Sequence, residues 1–215
     1  MPTYVRTMFA IALVAFVSAC GYGPETVAVK VENARAKKGT HIFAVATDFK
    51  IVSQPTGAIN TFPNGGVPRV SAHEARIYVV NLDKQTMRLA AQITDWGEIP
   101  RPKQVWVEGW VGNTLYFTLY GYGGDSRSGD DLHDPRELVF RVTPWGFVEQ
   151  VEAYPEGLQA QKNSGKAGDA PFLRLSKGHT DVNAGINGSP GKASRTARFS
   201  LEPSTGEAQL TFINN

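Results

Sequence analysis

A single cysteine occurs in the 215 residues of this chain. That excludes an intramolecular disulfide framework and any zinc or iron–sulfur site built on several thiolates. Neither sign of charge dominates: 22 Lys and Arg face 20 Asp and Glu. Such a balance provides no basic stripe of the kind nucleic-acid binders carry, and no nucleic acid is expected as a partner. The apolar run Met8–Val17 has ten residues, about half the length a membrane-crossing helix needs. Apolar positions recurring every 3.6 residues are nearly missing, so helices have little sequence to form from. Gly and Pro are plentiful by contrast, 22 and 13. They mark a turn-rich chain and point to β architecture.

The amino terminus reads as a targeting segment. Arg6 supplies a positive charge ahead of the apolar run Met8–Val17, which has the length of a signal-peptide core. Val17-Ser18-Ala19-Cys20 follows. This aliphatic–small–small–cysteine order resembles the lipobox of bacterial lipoproteins. The resemblance implies a signal peptide over 1–19, cleavage before Cys20, and a diacylglycerol and further acyl chain on Cys20 as the membrane anchor. Two or three chains hold a protein stably at a bilayer, where one does not. Gly21 stands where, in enterobacterial-type lipoproteins, an Asp would favour the inner membrane. For a Gram-negative cell, therefore, the outer membrane is expected. Residues 20–26 form a short tether, and 27–215 are expected to form one domain.

From Val27 onward the pattern is alternation, with β-branched and aromatic residues at every second place, the signature of half-buried strands. Val27, Val29 and Val31 share a face. Val105, Val107 and Val111 are expected on one face of a strand, with Trp106, Glu108 and Trp110 opposite, before a turn at Gly112-Asn113. Three hairpins look alike: Ile77–Leu89, Val139–Val151 and Arg198–Leu210. Leu82, Val142 and Leu201 sit at matching places in them, and a strand precedes each hairpin at 41–48, 114–121 and 171–177. Internal repetition of this kind marks repeat folds. The hairpins resemble the outer strands of periplasmic β-propeller blades. That resemblance implies a propeller-like array of about three to four blades. The same strands also suit a β-sandwich or an irregular barrel, because three repeats are too few to close a propeller.

Three long connections rich in Gly, Ser, Asn, Asp and Pro, at 53–74, 122–135 and 178–196, each lie before one of these hairpins. The second holds Asp125, Asp130, Asp131, His133 and Asp134 within ten residues. Hard cations such as Ca2+ take several oxygen ligands from a bendable loop, so these aspartates are candidate metal ligands. The EF-hand register fails, with Arg127 at the third ligand position. Gly124-Asp-Ser-Arg-Ser128 departs from a nucleophile elbow at Ser128. Gly191-Lys192 departs from a phosphate loop at Ala193. The four histidines, 41, 73, 133 and 179, show no paired metal spacing. Charge is segregated: 95–156 holds 11 acidic and 5 basic residues between two net-positive flanks.

Aromatic residues concentrate in the middle of the chain. Trp106, Trp110, Tyr120, Tyr122 and Trp145 are candidate binding residues, since flat exposed rings stack on sugars or anchor protein contacts. The expectation is a lipid-anchored envelope protein that binds or scaffolds without catalysis. An envelope protein or a glycan is its partner, and it is free to oligomerise. Two alternatives use the same residues. One is a carbohydrate or peptidoglycan-fragment binder acting through the Trp and Tyr rings. The other is a metal-assisted propeller-type hydrolase built on the Asp125–Asp134 loop.

Overall fold

A computed structural model describes residues 21–57, 68–123, 134–158, 172–175, 180–186 and 195–214. Twelve strands account for most of them: β1 (Tyr22–Ala36), β2 (Ile42–Pro55), β3 (Arg69–Asn81), β4 (Thr86–Ile93), β5 (Arg101–Val111), β6 (Thr114–Tyr122), β7 (Pro135–Val142), β8 (Val148–Val151), β9 (Phe172–Leu175), β10 (Asp181–Ile186), β11 (Arg195–Leu201) and β12 (Ala208–Asn214). They form three antiparallel four-stranded meanders, β1–β4, β5–β8 and β9–β12. The fold is all-β and repeats its hairpins, as the alternation predicts. The three look-alike hairpins are the third and fourth strands of the three sheets. Leu82, Val142 and Leu201 are buried at matching positions, where the third strand runs into its turn.

The sheets are layered, and none closes into a barrel. One apolar cluster joins the first sheet to the second through Ala44, Ala46, Ile77, Val105, Val107 and Phe117, with Trp96 and Ile99 at its margin. Another joins the opposite face of the first sheet to the third through Phe43, Val45, Tyr78, Val80, Val182 and Phe199. The sheet made first in sequence is therefore the middle layer. Its β2 strand shows this in local pattern, with Phe43 through Asp48 all buried, as a strand covered on both faces must be. Ala44 and Ala46 are small on the second-sheet side, while Phe43 and Val45 fill the other. This is a sandwich-like arrangement of three four-stranded meanders.

Asn33 joins two layers with its side chain. It lies beside a register shift in β1, and Val107 lies beside one in β5. The Asn33 amide donates to the Val107 carbonyl at 2.8 Å, and the Val107 N–H donates back to Asn33 Oδ1 at 2.8 Å. A buried side chain thus satisfies the backbone groups that a bulge frees.

Four tight turns gather at one end of the first and second sheets. The 37–41 turn meets the 82–85 turn through the His41–Asp83 pair at 2.8 Å. It meets the 112–113 turn where Lys37 Nζ donates to Asn113 Oδ1 at 2.6 Å. Thr143 and Pro144, from the β7–β8 turn, line a groove with Lys37 and Asn113. Gly112 has φ 58° and Gly146 φ 90°, conformations that glycine adopts without steric cost. Tyr22 lies at the other end of β1, paired with Pro55. Fifteen residues of strand separate the two ends, about 50 Å.

Candidate docking surface

Strict alternation puts Trp106 and Trp110 on one face, and the structure corrects this. Trp106 pairs with Thr118, but the β5–β6 register shifts between Val107 and Gly109, so that Trp110 pairs with Leu115. The extra residue at Glu108 reverses the alternation beyond it. Trp106 therefore lies on the outer face of the second sheet. Trp110 instead packs against the inner cluster with Val79 and Phe140, on the side of the valines. Val111 is turned out and exposed. The indole N–H of Trp106 is enclosed and has no hydrogen-bond partner among the described residues.

Tyr120 and Tyr122 share the outer face. Their rings meet edge-on at 5.7 Å, and Lys103 Nζ stands 5.6 Å from the Tyr122 ring. The hydrogen bond with Tyr122, more than burial or the nearby Glu137 charge, raises the Tyr120 pKa above the ordinary tyrosine value. Tyr154 folds back over the same sheet, a role the sequence pattern did not reveal. Its hydroxyl donates to Glu137 Oε1 at 2.7 Å, and Thr118 Oγ1 donates to Glu108 Oε1 at 3.0 Å, with the two hydroxyls also in contact. Burial is the main reason that Tyr154 ionises only far above the ordinary range. Its bond to Glu137 and the two carboxylate charges add to this, and the Thr118 contact opposes it. The group is a permanent donor that pins the 154–158 segment, with Leu158 buried beneath it.

A second polar cluster lies between the first and second sheets, beyond the alanines of β2. Asp48, buried, accepts from His73 Nε2 at 2.5 Å and from Lys50 Nζ at 2.8 Å. Burial alone would raise the Asp48 pKa. The His73 and Lys50 hydrogen bonds outweigh it and hold the carboxyl below its ordinary value. Glu32, two residues along β1 from its partner Lys30 at 2.8 Å, goes the other way. Burial raises it, Lys30 offsets only part, and the neighbouring Asp48 charge adds to the rise. His73 also faces the Trp96 ring at 4.6 Å. His73 is followed by Glu74 in the chain. In space its partner is Asp48, 25 residues away and on the adjacent strand. Both described histidines, His41 and His73, pair with carboxylates.

Cys20, Asp125, Asp130, Asp131 and His133 lie outside the described residues. Asp134 is exposed and paired with Arg136 at 3.0 Å. Among the described residues no three His, Cys, Asp or Glu side chains stand close enough to hold a metal ion.

The most exposed apolar side chains lie at the turn end. Trp145 is 84% exposed and Phe147 66%. The turn that carries them is closed on itself: Thr143 N–H donates to Phe147 O, Gly146 N–H to Thr143 O, and Phe147 N–H to Thr143 Oγ1. A groove of about 260 Å3 opens beside it, lined by Trp110, Val79, Leu115 and Pro144 with Lys37 and Arg88. No family model, curated protein or solved structure matches this chain. The site therefore stands on its own geometry. A rigid aromatic finger next to an apolar groove with cations can bind a surface.

Proposed function

We propose that the protein is a non-enzymatic binding module of a bacterial cell envelope, held to a membrane by acyl chains on Cys20 and presenting its turn end to a partner. The observation that supports this best is the Trp145–Phe147 finger. Two large aromatic side chains remain in water on a turn braced by three internal hydrogen bonds. Such exposure costs solubility and gives nothing to the core, so it marks an interaction site. Acyl chains on Cys20 would stand two residues ahead of Tyr22, which begins β1 at the opposite end. A tether of a few residues then leaves the finger facing away from the anchoring bilayer.

In-cell crosslinking tests the reading. Partners captured by the native chain should be lost from Trp145→Ala, while Trp106→Phe retains them. Equal capture by the Trp145→Ala chain would sink the assignment of the finger. Anchoring is tested apart from this. Cys20→Ser should remove radioactive fatty-acid labelling and release the protein from membranes.

A glycan-binding reading is favoured by a different observation, the Tyr120–Tyr122 pair with Lys103 on the outer face of the second sheet. Retention of peptidoglycan fragments that falls with Tyr122→Ala, but not with Trp145→Ala, would support it in place of the finger.

A further inference from the structure

We infer that the turn end docks on an anionic phospholipid surface. This rests on reading that end as a docking surface, and it names the occupant. Charge argues first. Lys37 and Lys38 stand on the β1–β2 turn, Lys84 on the β3–β4 turn and Arg88 on β4 at the groove. Among the described residues, the acids at this end are already held: Asp83 by His41 at 2.8 Å and Glu149 by Arg141 at 2.6 Å. The remaining cations repel a second copy of the same end and attract an anionic surface.

The apolar part argues second. Trp145 and Phe147, with Val111 and Val148 exposed beside them, make a small wedge and not a broad complementary patch. Protein interfaces of standard size bury about 800 Å2 on each partner around a packed centre. A bilayer boundary asks for less: aromatic rings at headgroup depth, and cations around them. Three internal hydrogen bonds hold the 143–147 turn in shape as its rings enter, and the rest of its backbone stays among the hydrated headgroups. Lys37 and Arg88 at the groove are placed for a headgroup phosphate beside the wedge. Because about 50 Å of β1 separates this end from Tyr22, the wedge meets a bilayer other than the one holding Cys20. The anchored protein is then a bridge between two membranes.

The experiment uses the protein purified from membranes of expressing cells and reconstituted in phosphatidylcholine vesicles. Fluorescent vesicles of 30% phosphatidylglycerol are added, and capture is read by flotation and light scattering. The native chain should capture anionic vesicles, leave neutral ones, and release them at 0.5 M salt, where surface charges are screened. Trp145→Ser with Phe147→Ser should weaken capture at least tenfold, the loss expected for removing a buried aromatic. Lys38→Gln and Lys84→Gln should each weaken it about fivefold.

Retention in the first vesicles without capture of anionic ones overturns the inference and leaves anchoring intact. Equal capture of neutral vesicles, or a finger that crosslinks only to protein, overturns it as well. If the chain fails to stay in the first vesicles, anchoring has failed; the wedge is then judged by direct flotation with the anionic vesicles, where no binding overturns it.

Discussion

Replacing Asn33 by Ala tests the joint between the first and second sheets. The substitution removes two buried hydrogen bonds of 2.8 Å and leaves the Val107 N–H and C=O enclosed and unpaired. Each orphaned group costs about 1–3 kcal/mol, so the expected loss is about 4 kcal/mol. For a domain of this size a kcal/mol moves Tm by about 2–4 °C, which gives a fall of about 10 °C or more. Urea denaturation and thermal melting measure it, and amide exchange at Val107 locates it. Thr26→Ala is the control. It deletes an exposed side-chain bond to Val52 O and should cost less than about 0.5 kcal/mol. Asn33→Asp separates the two halves of the joint, because it keeps the acceptor for Val107 N–H but sets a carboxylate against Val107 O. It should cost at least as much as Ala at neutral pH and less in acid, once protonation restores a donor. A loss below about 1 kcal/mol for Asn33→Ala, with Val107 still protected from exchange, would refute the claim that this amide joins the layers.

Other outcomes follow from the same structure. The Asp48 pKa lies below its unfolded value, so its pairing stabilises the fold above that unfolded value and is lost as pH falls through the folded one; Asp48→Asn should flatten the acid limb of the stability curve in urea titrations. Glu32 has the opposite sign: its folded pKa is raised, so the fold favours the neutral acid and loses that preference as pH rises through the folded value. Glu32→Gln should therefore raise Tm at pH 7 and have a smaller effect near pH 3. Gly121→Ala would place a Cβ 2.2 Å from Arg101 O and 2.4 Å from an Ile99 methyl; a destabilisation of about 2–3 kcal/mol is expected from such overpacking, read by urea midpoint. Iodide should quench Trp145 strongly and Trp96 hardly at all, given 84% and 5% exposure, in chains that each keep one tryptophan.

The strands and hairpins were legible because period-two patterning is a local property. The turns at 83–86, 112–113, 144–146 and 202–206 carried their own chemistry, and Leu82, Val142 and Leu201 matched because they end equivalent strands. Less local features did not show. One inserted residue at Glu108 reversed the facing of Trp110, since alternation carries no record of a bulge. β10, Asp181–Ile186, lay within a connection read as loop; its inward residues Val182 and Ala184 sit among Gly and Asn. The Asp48–His73 and Glu108–Tyr154–Glu137 clusters come from register and chain return, which residue spacing along the chain does not reveal. Trp145 was singled out from sequence only as one of several concentrated aromatics; its 84% exposure comes from its place in the Pro-Trp-Gly turn, which has no strand face to bury it.

The order of the sheets bears on how the chain reaches its folded state. The middle layer is synthesised first and carries two apolar faces, one awaiting β5–β8 and the other β9–β12. Until both later meanders arrive, Phe43 through Ala46 and their neighbours have nothing to cover them. A chain that folds as it emerges would expose that layer for as long as the remainder takes to follow. Slowing the delivery of β9–β12 should therefore divert the protein to aggregation before it weakens the finished fold.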